Sequence, residues 1–123
     1  MGLTTYFFDT YAFIEAMGHN PNYLKMGTVD IVTTRLNLME LHYHILRTRG
    51  KDIARYYYNL FKKLAISIED DVIQEANIFR LENKKKKLSY VDCIGYILAR
   101  RAGVKFLTGD NAFKGVEGVE FLK

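Results

Sequence analysis

Short runs of β-forming residues alternate with longer segments of helical periodicity along this chain of 123 residues. The β-rich runs read TTYFF, GTVDIVTT, VKFLTGD and GVEFL, and apolar residues at helical spacing occupy most of the sequence between them. Strands that alternate with helices pair in parallel through right-handed crossovers. The alternation therefore predicts an α/β fold, a three-layer α/β/α sandwich with a mostly parallel central sheet.

The composition is that of an ordinary globular protein, and we expect residues 1–123 to form one domain. Hydrophobic residues make up 49% of the chain and charged residues 26%. The formal net charge of +4 permits a polyanionic partner without requiring one. Charged residues interrupt each apolar run before the roughly 20 residues of a membrane span, and the single cysteine favours a reducing compartment. We expect a soluble, cytoplasmic protein with no membrane partner.

Helical spacing predicts the elements between the strands. RLNLMELHYHILRTRG is expected to be a helix with Gly50 as its C-cap, and Asp52 is expected to cap the next helix. AISI is a candidate short strand, and a further helix is expected to begin at Asp70 or Asp71. The residues expected to face the core from the helices after Gly50 are Ile53, Tyr57, Leu60, Phe61, Leu64, Val72, Ala76 and Phe79.

The stretch LSYVDCIGYILARRAG, which begins at Leu88, places a carboxylate in an otherwise apolar helix. In one interpretation Asp92 completes a capping box with Ser89, three residues earlier. In the other it is a ligand of a cation. Gly95 and Ala99 share its face of the helix and allow close approach to the sheet, which would desolvate the carboxylate. No basic residue inside the apolar run is available to neutralise it.

Three more acids fall where they can share a site with Asp92. Asp9 directly follows TTYFF and Asp110 follows VKFLTG, at the carboxyl ends of predicted strands, where α/β sheets bind ligands. Glu40 lies on the edge of a predicted helix. Structural roles remain open for each, since Asp9 can cap the next helix and Asp110 can form an Asx turn. Glu40 can be a solvated residue paired with a basic neighbour, His44 or Arg47.

Four converging carboxylates without a basic partner repel one another, so such a cluster is tolerated chiefly around a divalent metal. Oxygen ligands favour Mg²⁺ or Mn²⁺ over zinc. The three histidines are too scattered for a zinc site, and the sequence has no phosphate-binding loop of the form GxxxxGK. A phosphoaspartate enzyme would need an acid two positions after Asp9, where Tyr11 stands.

The segments FFDTYAF, LNLMELHYHIL, SYVDCIGYILA and FLTGDNAF resemble, in this order, the four acidic motifs of PIN-domain ribonucleases, most closely those of small VapC-type toxins. The resemblance covers essentially the whole chain. It implies that the catalytic, metal-binding acids are Asp9, Glu40, Asp92 and Asp110, with Thr108 and Asn111 as supporting residues. Glu15 remains an alternative to Glu40, because it lies near the first motif.

The resemblance also implies a function: a toxin that hydrolyses RNA with Mg²⁺ or Mn²⁺ and leaves 5′-phosphate and 3′-hydroxyl ends. It implies a homodimer and a small antitoxin partner, for which ARYYYNLF offers apolar contact residues. Transfer RNA, ribosomal RNA and messenger RNA all stay open as substrates. The alternatives are a non-catalytic PIN-like module that binds RNA or protein, and a DNA nuclease, which usually carries extra helical segments.

Cations near the acids are candidate RNA-binding residues: Lys84, Lys85, Lys86, Lys87 and Lys114. The lysine run precedes the helix of Asp92, and Lys114 follows Asp110. A solvated loop is the alternative for the run. Tyr11, near the first acid, can either stack on an unpaired base or pack against the fold.

Overall fold

The structure is a computed structural model that describes residues 2–123, so Met1 of the expected domain lies outside the described residues. Within this range the strands form one sheet in the order β2-β1-β3-β4. The strands are β1 (Thr5–Phe8), β2 (Asp30–Val32), β3 (Lys105–Thr108) and β4 (Val119–Phe121). Each neighbouring pair is parallel, which confirms the α/β fold with a parallel central sheet.

Helices connect the strands across residues 2–123. They are α1 (Thr10–Met17), α2 (Pro21–Leu24), α3 (Arg35–Arg49), α4 (Lys51–Phe61), α5 (Asp70–Glu82) and α6 (Tyr90–Ala102). Short 3-10 turns cover Lys62–Leu64, Lys84–Lys86 and Asn111–Phe113. In this part of the chain, no helix has both the length and the apolar character needed to cross a membrane.

The sheet separates two helical layers. Phe7 and Phe106 pack into the core formed with α5 and α6, whereas Phe8 and Leu107 pack into the core formed with α1, α3 and α4. Successive strand residues point to opposite faces, so the central strands β1 and β3 need apolar side chains on both sides. The expected three-layer α/β/α sandwich is therefore confirmed.

Helix α6 lies against the two central strands. Its residues Cys93–Ala99 are all buried. A Cβ atom at Gly95 would lie 2.8 Å from Cε1 of Phe7 and 3.2 Å from Cε1 of Phe106, so the close approach depends on the missing side chain. Ala99 is fully buried on the same face. The expected tight packing of this helix on the sheet is confirmed, and it fixes where the first turn of α6 lies.

Two expectations for α4 are wrong. Gly50 at φ 89° ends α3, as predicted, but it also begins α4, so Asp52 lies inside the first turn and does not cap the helix. Leu60 is 40% exposed, while Ala54 is fully buried. Leu60 lies about 120° around the helix from Ala54, so it falls outside the face that packs on the core.

The segment that joins α4 to α5 also differs from expectation. AISI forms only an isolated parallel bridge, between Thr33 and Ala65, because the chain soon turns away to enter α5. Glu69 takes the N-cap position of α5, and the two aspartates expected there occupy its first turn. Val72 and Ala76 are buried, as predicted.

We predict that Gly95→Ala destabilises the protein by about 1–2 kcal/mol, because overpacking a core costs more than the gain in helix propensity of about 1 kcal/mol. Urea unfolding of both proteins measures the change. In a Phe7→Leu background the ring atoms nearest the new methyl group are gone, so the loss should shrink. An equal loss in both backgrounds would contradict this contact as the cause.

Candidate active site

Asp9 and Asp110 lie at the carboxyl ends of the paired central strands. Asp9 follows β1, and its N–H donates to the Leu107 carbonyl of β3 at 3.4 Å. Asp110 follows β3 after one glycine, and its N–H donates to Oγ1 of Thr108 at 3.0 Å. Because β1 and β3 run in parallel, both carboxylates reach the same edge of the sheet.

Asp92 reaches this edge from the helical layer of α6. The capping box is present, since Asp92 N–H donates to Oγ of Ser89 and Ser89 N–H donates to Oδ2 of Asp92, both at 3.0 Å. Burial raises the pKa of Asp92, the Ser89 hydrogen bonds lower it, and the charge of Asp110 raises it further. The acid therefore caps the helix and also faces a second carboxylate, so the capping interpretation does not exclude the ligand interpretation.

The three aspartates line one open crevice of about 370 Å³. Its lining residues are Asp9, Thr10, Tyr11, Asp92, Gly109, Asp110, Asn111 and Lys123. Thr108, one of the expected supporting residues, is fully buried beneath them, and Asn111 is exposed at the rim. The ring of Tyr11 packs on Gly109, and a Cβ atom at this position would clash with it. Of the two roles expected for Tyr11, packing against the fold is therefore observed.

Asp9 is the most deeply buried acid of the crevice, with 3% of its surface exposed. Burial raises its pKa to about 7, and the charges of Asp92 and Asp110 add to the rise. Hydrogen bonds from the Thr108 hydroxyl and the Ala12 N–H oppose it. The Ala12 N–H donates to Oδ1 at 2.8 Å, so Asp9 also caps α1.

None of these three acids forms an ion pair within the described part of the chain, although Lys123 also lines the crevice. The ion pairs among residues 2–123 join Arg100 to Glu117 and Arg101 to Asp71 and Glu75. Buried carboxylates are usually paired. Three aspartates and one lysine line this crevice, so acids outnumber bases there.

Glu40 approaches the crevice from α3. The Thr10 hydroxyl donates to its Oε1 at 2.7 Å, and the side chain is half-buried. Burial raises its pKa, the Thr10 bond lowers it, and the charge of Asp92 raises it. The pairing with His44 or Arg47 weighed from the sequence is wrong: Thr10 is the partner, and Arg47 lies over the ring of Tyr43.

Glu15, the alternative glutamate, faces away from this crevice. It hydrogen bonds to Tyr11 and lines a different groove with Met17 and His44, between α1 and α3. Between the two glutamates, Glu40 is the one whose pKa is affected by the charge of a crevice aspartate, Asp92.

A buried polar network lies behind Glu40, and it was not predicted from the sequence. Nδ2 of Asn37 donates to Oγ1 of Thr10 at 3.3 Å, and Oγ1 of Thr34 donates to Oδ1 of Asn37 at 2.6 Å. Asn37 is 1% exposed. Its sequence signal is a polar residue between Leu36 and Leu38, less than one turn before Glu40. The network fixes the Thr10 hydroxyl that holds the glutamate.

Across residues 2–123, no three His, Cys, Asp or Glu side chains form a group close enough to hold a metal ion by themselves. That Asp9, Glu40, Asp92 and Asp110 together hold a divalent metal stays a prediction. The donors still fit a hydrated Mg²⁺ or Mn²⁺ ion, because Mg²⁺ keeps several waters and binds one or two carboxylates. The internal hydrogen bonds of the described residues use Oδ2 of Asp92 and Oδ1 of Asp110, which leaves the other carboxylate oxygen of each for such an ion.

The family model described as PIN domain matches residues 6–119, so the chain belongs to the PIN domain family. This match confirms the resemblance to the PIN-domain family.

Solved structures share the fold at low identity. VapC20 of Mycobacterium tuberculosis, described as a toxin that cleaves the sarcin-ricin loop, is 18% identical with a TM-score of 0.77, and the match covers 96% of this chain and 99% of that one. A chain of a toxin-antitoxin complex from Klebsiella pneumoniae is 20% identical with a TM-score of 0.72, over 93% and 94% of the two chains. DNA-bound VapBC from Salmonella typhimurium is 16% identical with a TM-score of 0.72, over 97% of each. No curated protein matches the sequence significantly.

We predict that Asp9→Asn raises the melting temperature of the metal-free protein at pH 8. The folded-state pKa of Asp9 is about 7 against an ordinary 3.8, so ionisation destabilises the fold as pH rises through this window. Asparagine keeps the N-cap without the charge. A gain on the order of 1 kcal/mol corresponds to about 4 °C.

Thermal melts in EDTA at pH 8 and pH 5 measure this effect. The control variant is Asp30→Asn, which removes the same charge from an exposed position. The gain should be smaller at pH 5, where Asp9 is already protonated in the fold. A melting temperature lowered equally at both pH values would mean that capping alone explains the residue.

Proposed function

We propose that this protein is a metal-dependent endoribonuclease of the VapC type, the toxin of a toxin-antitoxin pair. The observation that carries the proposal is the buried, unneutralised carboxylate of Asp9 beside Asp92 and Asp110. Leaving such charges unpaired costs stability, and strongly shifted carboxylates in a cleft are typical of functional sites. A bound divalent cation supplies the missing positive charge.

Asp9, Asp92 and Asp110 would hold a hydrated Mg²⁺ or Mn²⁺ ion, in part through its waters, with Glu40 beside them. When bound, the ion lowers the pKa of a coordinated water and offsets the charge that develops on the phosphodiester. Thr108 orients Asp9 and the turn of Asp110 from below, and Asn111 stands at the rim to contact substrate. Burial raises the pKa of Glu40, which makes its carboxylate a stronger base. Glu40 would therefore accept a proton from the attacking water.

A protein nucleophile is not part of this mechanism. The cysteine of the chain, Cys93, is buried in α6, and burial raises its pKa to about 11. A thiol in this state is a poor nucleophile. Direct attack by water leaves a 5′-phosphate and a 3′-hydroxyl, and it does not use the 2′-hydroxyl of the RNA.

The proposal includes a small antitoxin, a homodimer and a cytoplasmic location. Its support is the likeness to VapBC assemblies from Salmonella typhimurium and Rickettsia felis, both described as bound to DNA. Helices α3 and α4 supply exposed apolar side chains for protein contacts: Met39, Tyr43, Leu46, Tyr56 and Leu60. Tyr56 belongs to the stretch expected to meet the antitoxin.

A non-catalytic PIN module is the second candidate, because each aspartate of the crevice already has a structural task. Asp9 caps α1, Asp92 completes the capping box of α6, and Asp110 caps the following 3-10 turn. If capping is their whole purpose, the protein binds RNA or a partner protein without cutting RNA.

We predict that the purified protein cleaves structured RNA with Mg²⁺ or Mn²⁺, and that Asp92→Asn lowers the rate about 100-fold or more, since even outer-shell changes at metal sites cost 10- to 100-fold. End-labelled RNA, with analysis of the new ends, measures this. The variant Asp30→Asn serves as the control and should cleave normally. Cleavage unaffected by EDTA, or products with 2′,3′-cyclic phosphate ends, would contradict the mechanism.

We predict that Mn²⁺ or Mg²⁺ at tenfold above its dissociation constant stabilises the wild type by about 1.4 kcal/mol, a rise in melting temperature of about 5 °C. Asp9→Asn and Asp110→Asn should lose this rise, and Asp30→Asn should keep it. Differential scanning calorimetry measures it without any RNA. No rise in the wild type, together with no cleavage, would favour the non-catalytic module.

A further inference from the structure

We propose that a second site, a basic pocket beside the acidic crevice, binds a backbone phosphate of the RNA; this inference rests on the proposed function. The pocket has a volume of about 380 Å³. It is formed by the end of α5, the 3-10 turn Lys84–Lys86 with the lysine that follows it, and Leu88, the residue before the N-cap of α6. Its lining residues are Asn77, Arg80, Leu81, Lys84, Lys87 and Leu88. These residues are separate from those that line the crevice.

Arg80 is held in a fixed orientation at this pocket. Its Nε donates to the carbonyl oxygen of Leu88 at 2.9 Å, and its guanidinium carbon lies 4.1 Å from the ring centroid of Tyr90. Both contacts leave the two terminal amino groups of the guanidinium without an acceptor among the described residues. A fixed guanidinium with two free amino groups matches the geometry of a phosphate, which arginine binds through paired hydrogen bonds.

The charge of the pocket points to an anion. Arg80, Lys84 and Lys87 line it, and no acidic residue is among the lining residues. None of the three takes part in an ion pair with a described residue. Lys87 lies at φ 55°, a left-handed conformation that residues other than glycine rarely adopt. Three unneutralised cations in one concavity favour a polyanion.

The pocket is connected to both acid-bearing segments. Leu88 directly precedes Ser89, which caps the helix that carries Asp92. Lys86 donates from Nζ to the carbonyl oxygen of Ala112 at 3.3 Å, in the turn that Asp110 caps. A nucleic acid backbone bound in the pocket would therefore lie next to the segments that carry Asp92 and Asp110, and the cations would offset the repulsion between the acids and the phosphates.

The five lysines expected to bind RNA differ in their surroundings in the structure, which the sequence did not show. Lys84 and Lys87 line the pocket, and Lys86 joins two turns. Lys85 is exposed outside it, and Lys114 lies over the ring of Phe121 on β4. Arg80, which stands before the run on α5, was not among the expected RNA-binding residues.

The test measures binding of a fluorescein-labelled single-stranded RNA by anisotropy over a series of KCl concentrations. All proteins carry Asp92→Asn with Mg²⁺ present, so that no RNA is cut. The pocket variants are Arg80→Gln and the double variant Lys84→Gln/Lys87→Asn, in which asparagine tolerates the left-handed backbone. The matched control is Lys51→Gln/Lys105→Gln, which removes two exposed cations, one at the start of α4 and one at the amino end of β3.

We expect each lost phosphate contact to lower the slope of log K against log salt by about 0.7 and to weaken binding about three- to fivefold near physiological salt. The control should match its parent in affinity and slope. Arg80→Lys keeps the charge, so it should keep the slope while losing affinity. If Arg80 had only a structural role, Arg80→Gln would leave the salt slope unchanged.

The pocket proposal is overturned if the double variant binds RNA with the affinity and slope of the control. The double variant removes no hydrogen bond within the described residues, so it tests the pocket even if Arg80→Gln fails to fold. If binding is unchanged while the protein without Asp92→Asn still cleaves RNA, only the pocket is refuted. If no protein binds RNA and none cleaves it, the proposed function is refuted as well.

Discussion

The packing of helix α6 on the two central strands is the contact on which the arrangement of the acids depends. Gly95 has no side chain where the rings of Phe7 and Phe106 lie, and the helix can therefore reach the sheet. Interiors are packed closely enough that one methyl group moves its neighbours. The hydrophobic core thus sets the position of Asp92 relative to Asp9, although neither carboxylate belongs to the core. A change in packing at Gly95 would move the site.

The aspartates of the crevice combine a structural task with a shared electrostatic one. In each, a carboxylate oxygen accepts a backbone N–H at the start of a helix or turn, and this contact holds the side chain at the crevice. In Asp9 and Asp92 these hydrogen bonds favour the charged form, but they do not offset the burial of Asp9, which raises its pKa to about 7. The hydrogen bonds therefore hold the carboxylates in place before any cation binds. The free-energy cost of burying the charged form of Asp9 would be relieved by a bound ion.

The distribution of charge along α6 separates two kinds of surface. Its C-terminal turn carries Arg100 and Arg101, which are neutralised by acids from neighbouring segments. Its N-terminal end lies between an acidic crevice and a basic pocket, whose charges have no ion-pair partner among the described residues. Acids near the first turn and bases near the last also agree with the helix dipole. Under the proposed function, the polyanion and its metal would bind at this end of α6.

Much of the fold could be predicted because it follows from short-range patterns. Alternating strands and helices, the cap of α3 at Gly50 and the capping box at Ser89 all depend on residues close together in the chain. The exposure of Leu60 could not be predicted, because the face that α4 buries is chosen by α1 and α3. The same holds for Asp52, whose place depends on the reversal at Gly50.

The sequence by itself determined the class of fold, the acids at the strand ends and the two possible roles of Asp92, since periodicity and capping act over a few residues. Only the tertiary structure decided that Thr10 holds Glu40, 30 residues away. It also decided that Arg80 joins part of the lysine run in a pocket. These contacts join residues that become neighbours only after the helices have packed on the sheet, and no local pattern specifies them.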